Sequence, residues 1–378
     1  MQPTGCQPIY IMDQKECDIV EDATGFEALY KSMNKCKCGV MWKTSVANYC
    51  LHDLERTLKL EEDLKEGKYK PGEPMTFMVT HPKPRQILSI GFRDRVYQRS
   101  LNDEIVYPAL TKSLIYDNAA CQKDKGTDFA RERLKKFLHR FYRKHGQKGH
   151  VLQMDIKGYY PNMQHDVAKK KFRKHLDDWT YDCACRILDQ QYAGEVGFNP
   201  GSQIIQIAGI AVLDEIDHYI KERLRVKLYI RYMDDMIVIA EDREYLERCR
   251  EAVAGELAKM GFRLHETKTR IYPLKDGIKF LGFYFRLTDT GKVLQILDPE
   301  KIKAERKKLR RLIHRAKRGI IGPEKVYQCL ESWEAHAKKG NNFKVIQKMR
   351  KFARETWKED LNVDGTGQDR QTYPGEES

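Results

Sequence analysis

No run of 18 consecutive apolar residues occurs in the 378-residue chain, so no transmembrane helix is expected and no membrane partner. The opening MQPTGCQPIYIMDQKECDIVED lacks a basic segment followed by an apolar one. A secretory signal is therefore not expected, and the protein is read as cytoplasmic. No internal repeat is visible, which excludes solenoids and propellers. Cys-x2-Cys knuckles are also missing. The ten cysteines are scattered from Cys6 to Cys329, which fits reduced thiols better than a disulfide framework. Cys36, Cys38, Cys50 and His52 are zinc-compatible types, but Cys-x-Cys is too tight for a knuckle and the second pair falls in an apparent helix. Structural thiols are the expectation there.

What the chain does have is apolar residues at 41%, enough for a core, and an excess of positive charge. Lys+Arg number 69 against 55 Asp+Glu, a net of +14, which suits a polyanionic partner. Residues 301 to 360 carry 19 Lys/Arg against 7 Asp/Glu, and 123 to 148 carry 10 against 3. Two basic runs around a more neutral middle suggest two walls of a groove that tracks phosphates. Residues 363 to 378 are polar with few apolar anchors and read as a disordered tail.

Periodicity gives the organisation. Phe26 to Gly67 reads as helical, with leucines at 51, 54, 58 and 64. Met75–Thr80 and Arg85–Ile90 read as strands joined by a His-Pro-Lys-Pro turn. Arg93–Tyr107 reads as a helix ending at Pro108, and Asp128–His145 as a basic helix. Helices are expected at 164–176, 181–192, 204–225, 243–260, 302–319 and 324–337, the long 204–225 helix being introduced by Asn199-Pro200-Gly201. Strands are expected at 270–273, 280–286 and 293–296. Helices and strands interleave without βαβ regularity, so the class is α+β.

Two segments carry chemistry. His150–Ile156 is an apolar strand ending in Asp155. Lys227–Ala240 (KLYIRYMDDMIVIA) is a hairpin with Met233, Asp234 and Asp235 at its tip. Three carboxylates at strand ends repel one another unless a cation lies between them. Magnesium prefers such oxygens together with substrate phosphates, and two ions clamp the attacking and leaving oxygens of phosphoryl transfer. An acidic pair at a hairpin corner is weak evidence alone. Its setting, about 80 residues after another acid-tipped strand, strengthens it.

Five motifs in order then resemble a reverse transcriptase of the bacterial lineages, with diversity-generating retroelement and group II intron enzymes the nearest types. Phe92-Arg93-Asp94-Arg95-Val96-Tyr97-Gln98 is similar to their fingers segment. Met154-Asp155-Ile156-Lys157-Gly158-Tyr159-Tyr160-Pro161 and Tyr232-Met233-Asp234-Asp235 resemble the two catalytic palm motifs. Glu266-Thr267-Lys268-Thr269 and Phe280-Leu281-Gly282-Phe283 resemble the later palm motif and the primer grip. The resemblance implies a right-hand polymerase: an N-terminal helical extension at 1–67, fingers at 68–149, and a palm at 150–297 with fingers/palm helices at 164–200. A basic helical thumb follows at 298–362.

The resemblance also implies roles. Asp155 and Asp234 would bind two Mg²⁺ ions, for which Mn²⁺ can substitute, with Asp235 assisting and the Ile156 carbonyl adding a ligand. Tyr160 would exclude a ribose 2′-hydroxyl, favouring dNTPs. Arg85 and Lys83 would reach the triphosphate, and Lys268 would protonate the leaving pyrophosphate. Tyr232, Met233 and Gln206 would line the nucleotide site. Implied partners are an RNA template, a DNA or RNA primer, their heteroduplex, a structured noncoding RNA and a small basic accessory protein. Gly201 and Gln206 fit the retroelement pattern Gly-x3-Ser-Gln, from which Ile205 departs. The alternatives are a defence-associated or retron-like enzyme (Asn118-Ala119-Ala120 resembles a retron marker, though Gln122-Lys123 stand where its His is expected) and an RNA-binding scaffold with a vestigial palm.

Overall fold

The computed structural model describes residues 14–80, 84–191, 195–198 and 201–359. The expected turn at 81–83, the Asn199-Pro200 pair and the 363–378 tail lie outside them. No helix among the described residues is long and apolar enough to cross a membrane.

The chain opens with four helices: α1 (Gln14–Thr24), α2 (Phe26–Lys37), α3 (Thr44–Cys50) and α4 (Asp53–Lys65). The helical reading of this region holds, but the leucine stripe is not the packed face. Leu51, Leu54 and Leu58 are 76%, 55% and 47% exposed, whereas Thr57 and Leu60 are fully buried and Leu64 packs on the core. Thr57 can take a core position because its hydroxyl donates to the Asp53 carbonyl at 2.6 Å, leaving no unpaired polar atom.

Strands β1 (Met75–Val79) and β2 (Arg85–Ser89) pair antiparallel as a two-stranded sheet, with Val79 opposite Arg85. Helix α5 (Phe92–Leu101) runs through a π-helical turn (Asn102–Val106) into α6 (Tyr107–Thr111). The expected stop at Pro108 is overturned. Proline falls in the first turn of α6, where the missing N–H breaks no intrahelical bond. Within α5, Asp94 is buried and accepts from the Tyr69 hydroxyl and the Gly72 amide, tying down the segment that leads into β1.

Next come α7 (Thr127–His145), β3 (His150–Met154), α8 (His165–His175) and α9 (Asp178–Gln191). They are followed by α10 (Gln203–Val212) and α11 (Asp214–His218). The single 204–225 helix expected from sequence is broken at Leu213 and ends in a π-helical turn. The break re-aims the chain so that Asp214 and Asp217 reach the buried cations Lys171 and Arg231. Helix α10 is buried over most of its length and packs against α5, α6 and α8. Strands β4 (Tyr229–Tyr232) and β5 (Asp235–Ala240), helix α12 (Arg243–Lys259) and strand β6 (Arg270–Pro273) complete this part. The sheet order is β4-β5-β3-β6.

The expected strand 280–286 is instead a hairpin: β7 (Ile278–Phe280) and β8 (Phe283–Leu287) turn at Leu281 and Gly282, both at positive φ. Gly282 is the residue that permits this. Strand β9 (Val293–Leu297) joins them in a three-stranded sheet. Helices α13 (Pro299–Lys317), α14 (Glu324–Ala337) and α15 (Phe343–Glu359) follow, the last not anticipated. The connector between α14 and α15 locks onto β9. Asn341 and Asn342 accept from the Gln295 and Leu297 amides at 2.9 and 2.8 Å. A side chain at Gly340 would meet the Gln295 carbonyl at 2.4 Å, so only glycine fits. The three helices share a small core of Leu309, Ile313, Val326, Met349 and Ala353.

The chain divides into two compact units. One is Met1–Leu134 with His150–Tyr272; the other is Lys135–Gly149 with Pro273–Ser378. Every candidate site residue whose side chain is described lies in the first. The class is α+β, as the interleaving predicts.

Candidate active site

The three carboxylates converge because of strand register. β3 pairs antiparallel with β5, with Met154 opposite Met236, so Asp155 comes off β3 level with Asp235. β5 also pairs with β4, with Tyr232 opposite Asp235, leaving Met233 and Asp234 as a two-residue turn. Met233 sits at φ 57°, a strained conformation for a non-glycine residue and one that marks functional turns. Asp235 therefore belongs to strand β5 rather than to the tip itself.

The segment after α12 latches onto the backbone around Asp155. The His265 amide donates to the Asp155 carbonyl at 2.7 Å, and Lys157 donates to the Arg263 carbonyl at 2.9 Å. Ile156 bridges Leu264. The Asp155 amide donates to Thr269 Oγ1 at 3.3 Å. This delivers Lys268, whose Nζ donates to both Asp155 carboxylate oxygens at 3.0 and 2.9 Å.

Electrostatics follow from burial. Burial first, then the negative charge of Asp155, raises the Asp234 pKa from its ordinary value. Asp235 is pushed up to about 6 by burial, then by Asp234 and Asp155. Among the described residues no three His, Cys, Asp or Glu side chains stand as a preformed metal cage. The donor chemistry nevertheless fits a hard divalent cation. It is all oxygen and half-buried, and burial first, then neighbouring carboxylate charge, raises two of its carboxyls.

On the other side of the turn, Tyr160 is half-buried and its hydroxyl finds no hydrogen-bond partner among the described residues. Burial, then Cys121 and Asp234, raises its pKa. Gln206, in the first turn of α10, lies 4.0 Å from the Cys121 sulfur, and that sulfur is 3.7 Å from the Met233 sulfur. Tyr232 is half-buried, its phenol raised mainly by burial. Asp155, Ile156, Tyr160, Gln206, Tyr232, Met233, Asp234, Asp235 and Lys268 thus share one compact unit. Arg85 starts β2 at the end of the β1–β2 hairpin; Lys83 lies outside the described residues. The Cys/His set does not assemble. Cys36 donates to the Arg95 carbonyl, Cys38 to the Asn34 carbonyl, and His52 faces Glu55.

Two structural supports of the turn were not assigned from the sequence. Arg231, one residue before Tyr232, is fully buried. Its Nε and Nη2 bind both Asp217 oxygens at 2.7–3.0 Å, Nη1 donates to the Met233 carbonyl at 3.0 Å, and Nη2 to the Ile210 carbonyl at 2.8 Å. Tyr229 donates to Asp217 at 2.6 Å. The guanidinium thus ties the turn that bears Asp234 to α10. A charge inside the apolar strand KLYIRYM is the sequence signal for it. The second support is the Asn118-Ala119-Ala120 run. It flanks β4, with the Ala119 amide donating to the Arg231 carbonyl at 2.9 Å. Cys121 is thereby placed beside Met233.

No curated protein matches the sequence. A telomerase from Candida tropicalis, truncated from its C-terminal domain, is similar in structure at TM-score 0.45 and 13% identity, over 65% of this chain and 60% of that one. A telomerase from Candida albicans, in complex with a fragment of telomeric RNA, is similar at TM-score 0.46 and 11% identity, over 82% and 66%. The chain thus spans less than two thirds of either. The family of reverse transcriptases (RNA-dependent DNA polymerases) matches residues 77–285, the stretch that holds most of the β1–β2 hairpin, all three aspartates and Lys268. The chain belongs to the reverse transcriptase family, whose fold is the right-hand polymerase and whose reaction is nucleotidyl transfer.

Proposed function

We propose that this chain copies an RNA template into DNA by extending a DNA or RNA primer with dNTPs. The observation that carries the reading is the convergence of Asp155, Asp234 and Asp235 on adjacent strand ends, with burial and repulsion straining two of them. Asp155, Asp234, Asp235 and the Ile156 carbonyl would hold two Mg²⁺ or Mn²⁺ ions. When bound, the ions supply Lewis-acid activation of the primer 3′-hydroxyl and neutralise charge on the leaving pyrophosphate. Lys268, already beside Asp155, holds a proton at Nζ that it would give to the pyrophosphate oxygen. Arg85 and Lys83 on the fingers hairpin would bind the triphosphate. The domain assignment follows: extension at 1–67, fingers at 68–149, palm at 150–297, and the basic thumb at 298–362 gripping the heteroduplex by its backbone, since a polymerase must accept any sequence.

Within the family, the Gly201 and Gln206 spacing before and in α10 supports a bacterial or phage retroelement enzyme of the diversity-generating type, with Ile205 its one departure from that pattern. It would work with a structured noncoding RNA and a small basic accessory protein. Primer extension on an RNA template with Mg²⁺ and dNTPs tests the core reading. Full-length product that EDTA abolishes is expected; RNA binding with no product on any template would overturn it.

Tyr160 would stack under the deoxyribose and reject ribose by contact. Tyr160→Ala is expected to weaken discrimination between dNTP and rNTP by about 10- to 100-fold, the range available to one steric contact. Competing single-nucleotide incorporations measure it, and unchanged selectivity would remove Tyr160 from this role.

A further inference from the structure

Gly209 lies in the middle of buried α10, where a glycine costs stability relative to alanine. Its surroundings give the reason. A Cβ built there would meet Tyr160 Oη at 3.0 Å, Cε1 at 3.2 Å and Cζ at 3.3 Å. The ring of Tyr160 rests flush on the helix backbone at this point. The neighbouring residue anchors the same spot: the Tyr159 hydroxyl donates to the Gly209 carbonyl. Tyr160 cannot retreat by moving its backbone, because its carbonyl accepts from the Phe198 amide at 2.8 Å. The ring itself has no hydrogen bond to hold it, since Oη is without a partner among the described residues. Its depth is therefore set by contact alone.

We infer that Gly209 is a positioning residue that fixes how far the Tyr160 ring projects into the nucleotide site. The inference rests on the reading of Tyr160 as the sugar-contacting residue. A methyl group at Gly209 would push the ring away from α10 and so shift it within the proposed nucleotide site. The hydroxyl is the nearest atom, so Tyr and Gly form a matched pair: the extra oxygen of tyrosine needs the missing methyl of glycine.

The test is a double-mutant cycle on the full chain, read by dNTP KM and kcat in primer extension and by thermal melting. Gly209→Ala is expected to raise KM for dNTP about five- to tenfold with a smaller change in kcat, the scale of a displacement of a few tenths of an ångström. Tyr160→Phe should recover part of that loss by removing the closest atom. On a Tyr160→Ala background Gly209→Ala should leave KM unchanged, and its effect on melting should reverse. It lowers the melting temperature when the tyrosine ring is present but raises it on the Tyr160→Ala background, because only the helix-propensity gain remains. An equal loss on both backgrounds would show that Gly209 serves α10 packing instead. No loss on the Tyr160 background would show that the ring is not seated by it. Melting reads the seat even in a protein that extends no primer. Failure of the sugar reading alone shows differently, as a Tyr160→Ala protein with wild-type ribose rejection.

Discussion

Asp234→Asn should abolish primer extension and at the same time raise the melting temperature of the metal-free protein. The activity loss is expected at about 10³-fold or more, because on the proposed reading Asp234 is a metal ligand whose removal forfeits several kcal/mol of transition-state charge stabilisation. The gain in stability has a separate origin. Burial and the charges of Asp234 and Asp155 push the Asp235 pKa up to about 6 from 3.8, so the fold prefers that carboxyl protonated. The stability linked to Asp235 is full below its ordinary pKa and is lost as pH rises through about 6; the ionised group costs the fold roughly 3 kcal/mol at neutral pH. Asp234→Asn removes one of the two repelling charges, and Asp235→Asn removes the strained group itself. Both variants should melt above wild type at pH 7 to 8 and converge with it near pH 4. Magnesium should raise the melting temperature of wild type and much less that of either variant. A variant that extends primers at the wild-type rate, or melts below wild type at pH 8, would break the site assignment.

How much of this was legible beforehand follows from what each residue must satisfy. The convergence of Asp155, Asp234 and Asp235 was readable because a carboxylate that ends an apolar strand contradicts its surroundings, which singles it out as a candidate. Most elements were readable from periodicity, including α7, α12 and the β4–β5 hairpin. The errors share a cause: tertiary contacts outvoted local signals. Pro108 stops a helix only when an N–H is needed, and the π-helical turn before it puts the residue where none is. Leu51, Leu54 and Leu58 mark a helix, but the face that packs is set by Thr57 and Leu60. The break at Leu213 accompanies ion pairs to cations on other elements, Lys171 of α8 and Arg231 of β4, which local periodicity does not encode. Gly209 was visible as an anomaly inside QIIQIAGIAV, yet its partner Tyr160 is 49 positions away and no spacing rule joins them.

Breaking the buried Arg231–Asp217 pair should separate folding from catalysis. Both side chains are fully buried, so Asp217→Ala leaves an uncompensated guanidinium and should cost about 3–5 kcal/mol, lowering the melting temperature sharply. The double variant Asp217→Leu with Arg231→Met replaces the pair by apolar groups of similar length. It should recover much of that stability, since a buried ion pair often contributes little beyond an apolar equivalent. It cannot recover the bond from Arg231 to the Met233 carbonyl, or the one to Ile210. Met233 is held at positive φ in the turn that delivers Asp234, and that conformation persists only while its surroundings enforce it. Freed of the tether, the turn should relax and move Asp234 out of line with Asp155. A displacement near 1 Å costs about 100-fold in rate, so the double variant should fold well and extend primers about 100-fold more slowly than wild type. Circular dichroism melts and steady-state extension measure the two effects on the same samples. A double variant with full activity would show that strand pairing alone sets the turn. One that stays as unstable as Asp217→Ala would place the value of the pair in Tyr229, whose hydroxyl also needs Asp217 as its acceptor.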